Sequence, residues 1–296
     1  MIEFFNFYLI PGIVVGCIYA LAALGISLTF GILRFANFAH GDTMTLGAYF
    51  IWTFVALVGM PPVVAWIPAA VLTIIIILAC DRLFFKPLRQ APTVVLLIAS
   101  FGFMLMLRSA IQLIWGVANR TLIPGIQQPW VFFDAIRIVP RHFWIVGAAI
   151  VLMVGLHLIL TRTKIGKAMR ATSDNPILAR LSGIATERVV AATWIISTTL
   201  AVVAGLFLAI DTDVNTLMGY RMLLPIFAAA ILGGIGKPYG AMAGGLVIGL
   251  AEELSVYHWL GDDPLISPAY KGGVAFAVMV VMLIWRPAGL GKGRVF

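Results

Sequence analysis

Asn37, His40 and Asp42 lie in the run Arg34-Phe-Ala-Asn-Phe-Ala-His-Gly-Asp42, a polar interruption between two strongly apolar stretches. An amide, an imidazole and a carboxylate at membrane depth are costly to desolvate, so such groups face a cavity, a partner or a substrate path. Two readings fit. In one, the run is an interfacial loop whose side chains cap the next helix, with Asp42 as N-cap to Thr43-Met-Thr-Leu46. In the other, the chain bends at Gly41 and a broken helix turns its ends toward a translocation path, which Asn37, His40 and Asp42 line or support. Arg108 and Gln112 sit one turn apart in FMLMLRSAIQLIWG, and Arg108 either snorkels or pairs with a carboxylate in the bundle. His157, within VLMVGLHLIL, reads as a hydrogen-bonded structural residue. Glu252 and Glu253 end a Gly-rich apolar run. Adjacent carboxylates diverge by about 100° on a helix, so they make a poor catalytic pair and at most one faces the bundle.

Enzymatic chemistry has little to work with. The four His show no HExxH spacing and no Cys-His cluster, so no metal site is expected. A G-x-S-x-G nucleophile elbow is missing. Cys17 and Cys80 fall in apolar runs and read as small buried hydrophobes. Gly233-Gly-Ile-Gly-Lys237 resembles a phosphate-binding loop only superficially. Ile231 stands where its first glycine belongs, and Pro238 where a Ser or Thr would hold magnesium. No cofactor is expected on this chain, and any ATP and magnesium must be bound by a partner.

The elements that position these groups are membrane spans. At 62% hydrophobic and 11% charged residues, with a mean hydropathy of +1.06, the chain lacks the charge a water-facing surface needs. The net charge of +8 sits in short loops without an aromatic-rich basic surface, which argues for a positive-inside bias and against nucleic acid. Apolar runs predict spans near 8–33, 43–59, 62–81, 93–115, 143–160, 188–210, 222–236, 238–256 and 270–285. Because 222–236 is short and Gly-ended it could be re-entrant, so the count is eight or nine. The reading is one all-α transmembrane domain over residues 1–296. MIEFFNFYLIPG lacks a basic n-region and runs on into a full span, unlike a cleavable signal. Asp81–Gln90, Thr161–Arg188 and the tail with Arg286, Lys292 and Arg294 are basic. Asp211–Arg221 and Glu252–Tyr270 are acidic or nearly neutral. This asymmetry assigns the basic loops and the C-terminus to the cytoplasm. Gly116–His142, with Arg120, Arg137 and Arg141 against Asp134, must then lie outside. Small-xxx-small spacings at Gly12/Gly16, Gly240/Gly244 and Gly245/Gly249 predict close helix contacts, within the chain or between subunits.

Thr161–Arg188 is a polar excursion with six Lys or Arg against Asp174 and Glu187. Within it lies a well-specified short helix. Asp174 or Asn175 can cap it, Pro176 suits its first position and Gly183 can end it. Ile177, Leu178 and Leu181 form one apolar face, and the basic flanks suit an anionic membrane surface.

Three blocks carry a family resemblance. They are Gly25-Ile-Ser-Leu-Thr-Phe-Gly31 through Asn37-Phe-Ala-His-Gly41 to Leu46-Gly-Ala-Tyr49; Gly166-Lys-Ala-Met-Arg-Ala171 with Asn175-Pro, Ala179 and Leu181-Ser-Gly-Ile184; and Leu232-Gly-Gly-Ile-Gly236 with Gly240-Ala, Gly244-Gly-Leu and Gly249 to Glu252. In this order they resemble the permeases of branched-chain amino acid ABC importers, LivH type. The resemblance implies a type II-like importer permease fold in a bacterial inner membrane. It implies a homologous second permease, two cytoplasmic ATPase subunits and a periplasmic binding protein as partners, besides membrane lipid. It also implies that Arg170, Asn175, Ala179, Arg180, Leu181 and Gly183 form a coupling segment that docks on the ATPase. Transport would proceed by alternating access, with family substrates ranging over branched-chain and other amino acids, urea, short amides and aromatic acids. The competing expectation is a self-contained secondary transporter or channel, whose charged midplane site would have to be built from Asp42 and Arg108.

Overall fold

The structure is a computed structural model that describes every residue except Met1, Pro124, 126–127, 133–135, 260–263, Pro287 and 292–296. Asp134, Lys292 and Arg294, used above to orient the chain, therefore lie outside the described residues. Each expected span coincides with a helix: α1 (Ile2–Leu33), α2 (His40–Val58), α3 (Pro62–Leu88), α4 (Thr93–Trp115), α5 (Pro140–Arg162), α8 (Thr186–Asp211), α9 (Met218–Gly233), α10 (Pro238–Ser255) and α11 (Lys271–Trp285). Two shorter helices, α6 (Lys164–Asp174) and α7 (Pro176–Leu181), connect α5 to α8. A small antiparallel hairpin, β1 (Trp130–Phe132) and β2 (Ile136–Ile138), precedes α5 with Val131 opposite Arg137.

Among the described residues, seven helices are long and apolar enough to cross a membrane: α1 to α5, α8, and α11 with the turn before it. Helix α9 is apolar but shorter, and α10 is diluted by glycine. Helices α1 and α8 form the centre, with 72% and 78% of their most apolar windows buried, against 11% around α11. Outer helices turn Ile98, Leu113, Val151 and Ile284 outward, as lipid-facing surfaces require.

The ends sort as the charge pattern predicts. Arg89 bonds Asp81 at 2.5 Å and Glu187 at 2.9 Å, tying the loop after α3 to the start of α8. Ser173 Oγ donates to Gly31 O at 3.0 Å, and Leu290 N donates to Leu232 O at 2.8 Å. The basic loops and the described part of the tail thus gather at one end of the bundle. At the other end Arg120 pairs with Val214 in an isolated bridge, and Arg137 N donates to Asn6 Oδ1 at 3.0 Å.

The tandem glycine motif divides between two neighbours inside the chain. A Cβ on Gly240 or Gly244 would strike Gly233 or Ala229 of α9; one on Gly245 or Gly249 would strike Ala20 or Gly16 of α1. The two pairs lie about 140° apart on α10, so it is pressed backbone to backbone on both sides.

Two expectations about the first polar run need correction. Asp42 is not an N-cap, because α2 already begins at His40 and Asp42 lies within its first turn. Gly41 does not bend the chain either. The reversal comes at Arg34, a left-handed residue (φ 60°, ψ 29°) whose N–H closes α1 on Phe30 O at 2.9 Å.

Candidate functional site

Helix α2 starts inside the bundle. Asn37, 3% exposed, accepts from Ala39 N at 3.1 Å through Oδ1, and its carbonyl accepts from His40 N at 3.3 Å. His40 is buried and fills the space that Gly25 leaves open in α1; a Cβ there would sit 2.5 Å from the ring. Asp42 is wholly buried and binds Arg108 in a two-toothed pair, Nη2 to Oδ2 at 2.8 Å and Nε to Oδ1 at 3.3 Å. This pairing decides between the two readings of Arg108. The guanidinium does not snorkel; it also lies over the Tyr220 ring, 4.3 Å from the centroid. Arg108 is seven residues from the end of α4 at Trp115, about 10 Å along the helix and well inside the apolar layer.

A second break mirrors the first. Asn215 Oδ1 accepts from Leu217 N at 3.1 Å, Met218 N donates to Asn215 O at 3.2 Å, and α9 begins at Met218. The two half-buried starts then meet head to head. A Cβ on Gly41 would strike the Gly219 carbonyl and one on Gly219 the Gly41 carbonyl, while Gly219 N donates to Thr45 Oγ1 at 3.1 Å. From there α2 runs toward the Trp115 end, where Trp115 Nε1 donates to Thr53 Oγ1, and α9 runs to the basic end. Asn37 with Gly41 and Asn215 with Gly219 are thus one device used twice in opposite directions, an arrangement known from transporters built of inverted repeats. Asp42 and Tyr220 hold equivalent positions, and Arg108 touches both. Sequence reasoning missed Asn215, Gly219 and Tyr220, although the repeated Asn-x-x-x-Gly spacing was there to read.

At the basic end, α7 is closed by caps at both termini. Asn175, rather than Asp174, accepts from Ile177 N at 3.0 Å and Leu178 N at 3.1 Å. Gly183 (φ 82°) donates to Arg180 O, and Ile184 N to Ala179 O, completing a Schellman turn. Ile177, Leu178 and Leu181 are 72%, 59% and 81% exposed, whereas Ala179 is buried against the chain's own body. Arg180 and Gly183 are exposed; Arg170 is exposed too but donates to Leu160 O.

Residues 8–283 match the family model described as "Branched-chain amino acid transport system / permease component". The chain belongs to that family. The permease is 32% identical to the high-affinity branched-chain amino acid transport system permease protein BraD of Pseudomonas aeruginosa, over 97% of this chain and 96% of that protein. It is 31% identical to LivH of Escherichia coli K12 over 96% and 94% of the two chains, and to a probable LivH of Methanocaldococcus jannaschii over 91% and 87%. Among solved structures, PsaBC from Streptococcus pneumoniae in complex with Fab is similar at TM-score 0.49 and 13% identity, covering 96% of this chain and 91% of that one.

The remaining polar groups of the permease are held locally. Glu252 alone of the adjacent carboxylates faces the bundle, accepting from Tyr19 OH at 2.6 Å, while Glu253 pairs with Lys271. His157 Nδ1 lies 2.7 Å from Tyr239 OH, a structural contact. Of the two charges on which a self-contained transporter would depend, Asp42 has both oxygens engaged by Arg108. Arg221 differs from all of these. It is exposed in the first turn of α9, and its side chain meets no carboxylate among the described residues. An arginine turned to lipid within the apolar layer is costly. That cost argues that this face of α9 meets water or another protein.

Proposed function

We propose that the chain is the inner-membrane permease subunit of an ATP-driven importer for branched-chain amino acids or closely related small amino acids and amides. It pairs with a homologous permease, receives substrate from a periplasmic binding protein and takes its motion from two cytoplasmic ATPase subunits. No cofactor sits on this chain; ATP and magnesium belong to the ATPases. The basic end, with the C-terminus, faces the cytoplasm.

The observation that carries the coupling role is α7. A six-residue helix with an Asn cap and a Schellman turn has a fixed shape without help from a long hydrogen-bond ladder, and it presents three apolar side chains to solvent. Such an exposed triad flanked by cations marks a docking surface. Within the coupling segment, Leu181 and Arg180 make the outward contact. Asn175 and Gly183 hold the helix ends, Ala179 seats it on the bundle, and Arg170 ties α6 to the end of α5. Closure of the ATPase dimer moves this segment, and the attached α5 and α8 rock around a path beside Asn37, His40 and Asp42. Because Ala179 is buried, a substitution there reports packing; Leu181→Glu is the cleaner test. In the assembled importer it is expected to abolish co-purification of the ATPases and ATP-dependent uptake of labelled leucine while leaving membrane insertion intact. Unchanged uptake would overturn the coupling role.

A further inference from the structure

The outward face of α9 carries Tyr220, Arg221 and Leu224, continuing from Leu217 just before the helix. Beside it α4 brings Arg108, and below it Phe38, from the loop before α2, packs on Phe227 of α9 (5.3 Å between ring centroids) and Phe101 of α4 (6.4 Å). The face therefore has a cationic and phenolic upper part and an aromatic lower part. Both Asp42 oxygens are engaged by Arg108 and the carboxylate is 0% exposed, so it offers nothing to a ligand. The Arg108 side chain is 14% exposed, and its guanidinium is held between Asp42 and the Tyr220 ring. Arg221 adds a charge with no carboxylate to balance it among the described residues.

We infer that Arg221, with the exposed edge of Arg108 and the Tyr220 hydroxyl, forms a carboxylate-recognition step in the translocation path, and that the aromatic floor at Phe38 and Phe227 receives the substrate's apolar side chain. This rests on the import reading above and narrows it. The solute must carry a free carboxylate, since a neutral amide or urea cannot balance Arg221. An α-ammonium group finds no counter-charge on this face and is not what the site selects. A guanidinium suits a carboxylate in both charge and geometry. The helix start itself contributes little, because Gly219 N and Met218 N are already bonded to Thr45 and Asn215.

The test uses the assembled importer in proteoliposomes with its binding protein saturated with leucine. Arg221→Gln is expected to lower leucine uptake about tenfold or more, the scale of one lost charge-assisted hydrogen bond. Subunit stoichiometry and the amount of assembled complex should stay within about twofold of wild type, as for an exposed substitution without structural partners. Arg221→Lys should recover much of the uptake, and Tyr220→Phe should lose less than Arg221→Gln. Uptake unchanged in Arg221→Gln would overturn the assignment. So would loss of the second permease from the complex, which would make Arg221 a subunit contact, or wild-type uptake confined to urea or amides. Wild-type vesicles with no ATP-dependent uptake at all would instead overturn the import reading on which the assignment rests.

Discussion

The two helix breaks share a backbone and differ in what they do with it. At the first, Asn37, Ala39, His40 and Asp42 are all buried, with Asn37 Oδ1 bonded to Ala39 N and both Asp42 oxygens to Arg108. At the second, the same Asn turn leads to Leu217, Tyr220 and Arg221, all exposed. One copy is a foundation, and the other is a surface. The difference is one of exposure: the first start is packed inside the bundle, and the second opens a polar face at its surface. Asp42, which invited a functional reading, is paired through both oxygens with Arg108.

Substitutions can break this comparison, beginning with the strongest. Asp42→Ala leaves Arg108 buried without its partner and is expected to destabilise the fold by about 3–5 kcal/mol; Tyr220→Ala, at the matching position, removes a cation–π contact of about 0.5–2 kcal/mol. Apparent Tm in detergent should separate the two clearly, and equal losses would show that the halves are not divided as described. Gly41→Val and Gly219→Val should behave alike, each forcing a side chain into the opposite carbonyl at a cost of about 1–3 kcal/mol or more. A tolerated substitution at either would show that the helix starts do not touch. Asn37→Ala and Asn215→Ala should each cost about 0.5–2 kcal/mol. The first should lie at the top of that range, because the N–H freed at Ala39 is buried while that at Leu217 can reach water. Smallest of all, Arg221→Gln should change stability by less than about 0.5 kcal/mol, even though a large loss of uptake is expected there.

Much of the fold was legible because membrane spans are written in long apolar runs. The apolar runs fell on helices, although the count of spans was open between eight and nine, and of the two cap candidates for α7 the structure uses Asn175, with Gly183 at the other end. The polar core was legible only in part. Asn37, His40 and Asp42 announced themselves as polar groups in apolar sequence, but the partner of Asp42 is 66 residues away on another helix, and no local spacing encodes that distance. The position of the first break was misread because glycine is the usual suspect for a reversal. Here Arg34 takes the left-handed conformation, and Gly41 serves a close approach that only the packed structure reveals. Arg221 escaped notice for a simpler reason: it sits at the end of a loop, where a charge attracts no attention until the helix is seen to begin inside the bundle.

Helix α10 carries one more consequence. With glycines on two faces meeting α1 and α9, it has an address rather than a fit. Sliding it by one residue, or turning it by one residue's worth of rotation, would bring Ala241 or Leu246 where only a hydrogen can stand. The intermediate positions through which a protein could drift to a new arrangement are therefore closed. The outer helices, whose side chains face outward, carry no such restriction.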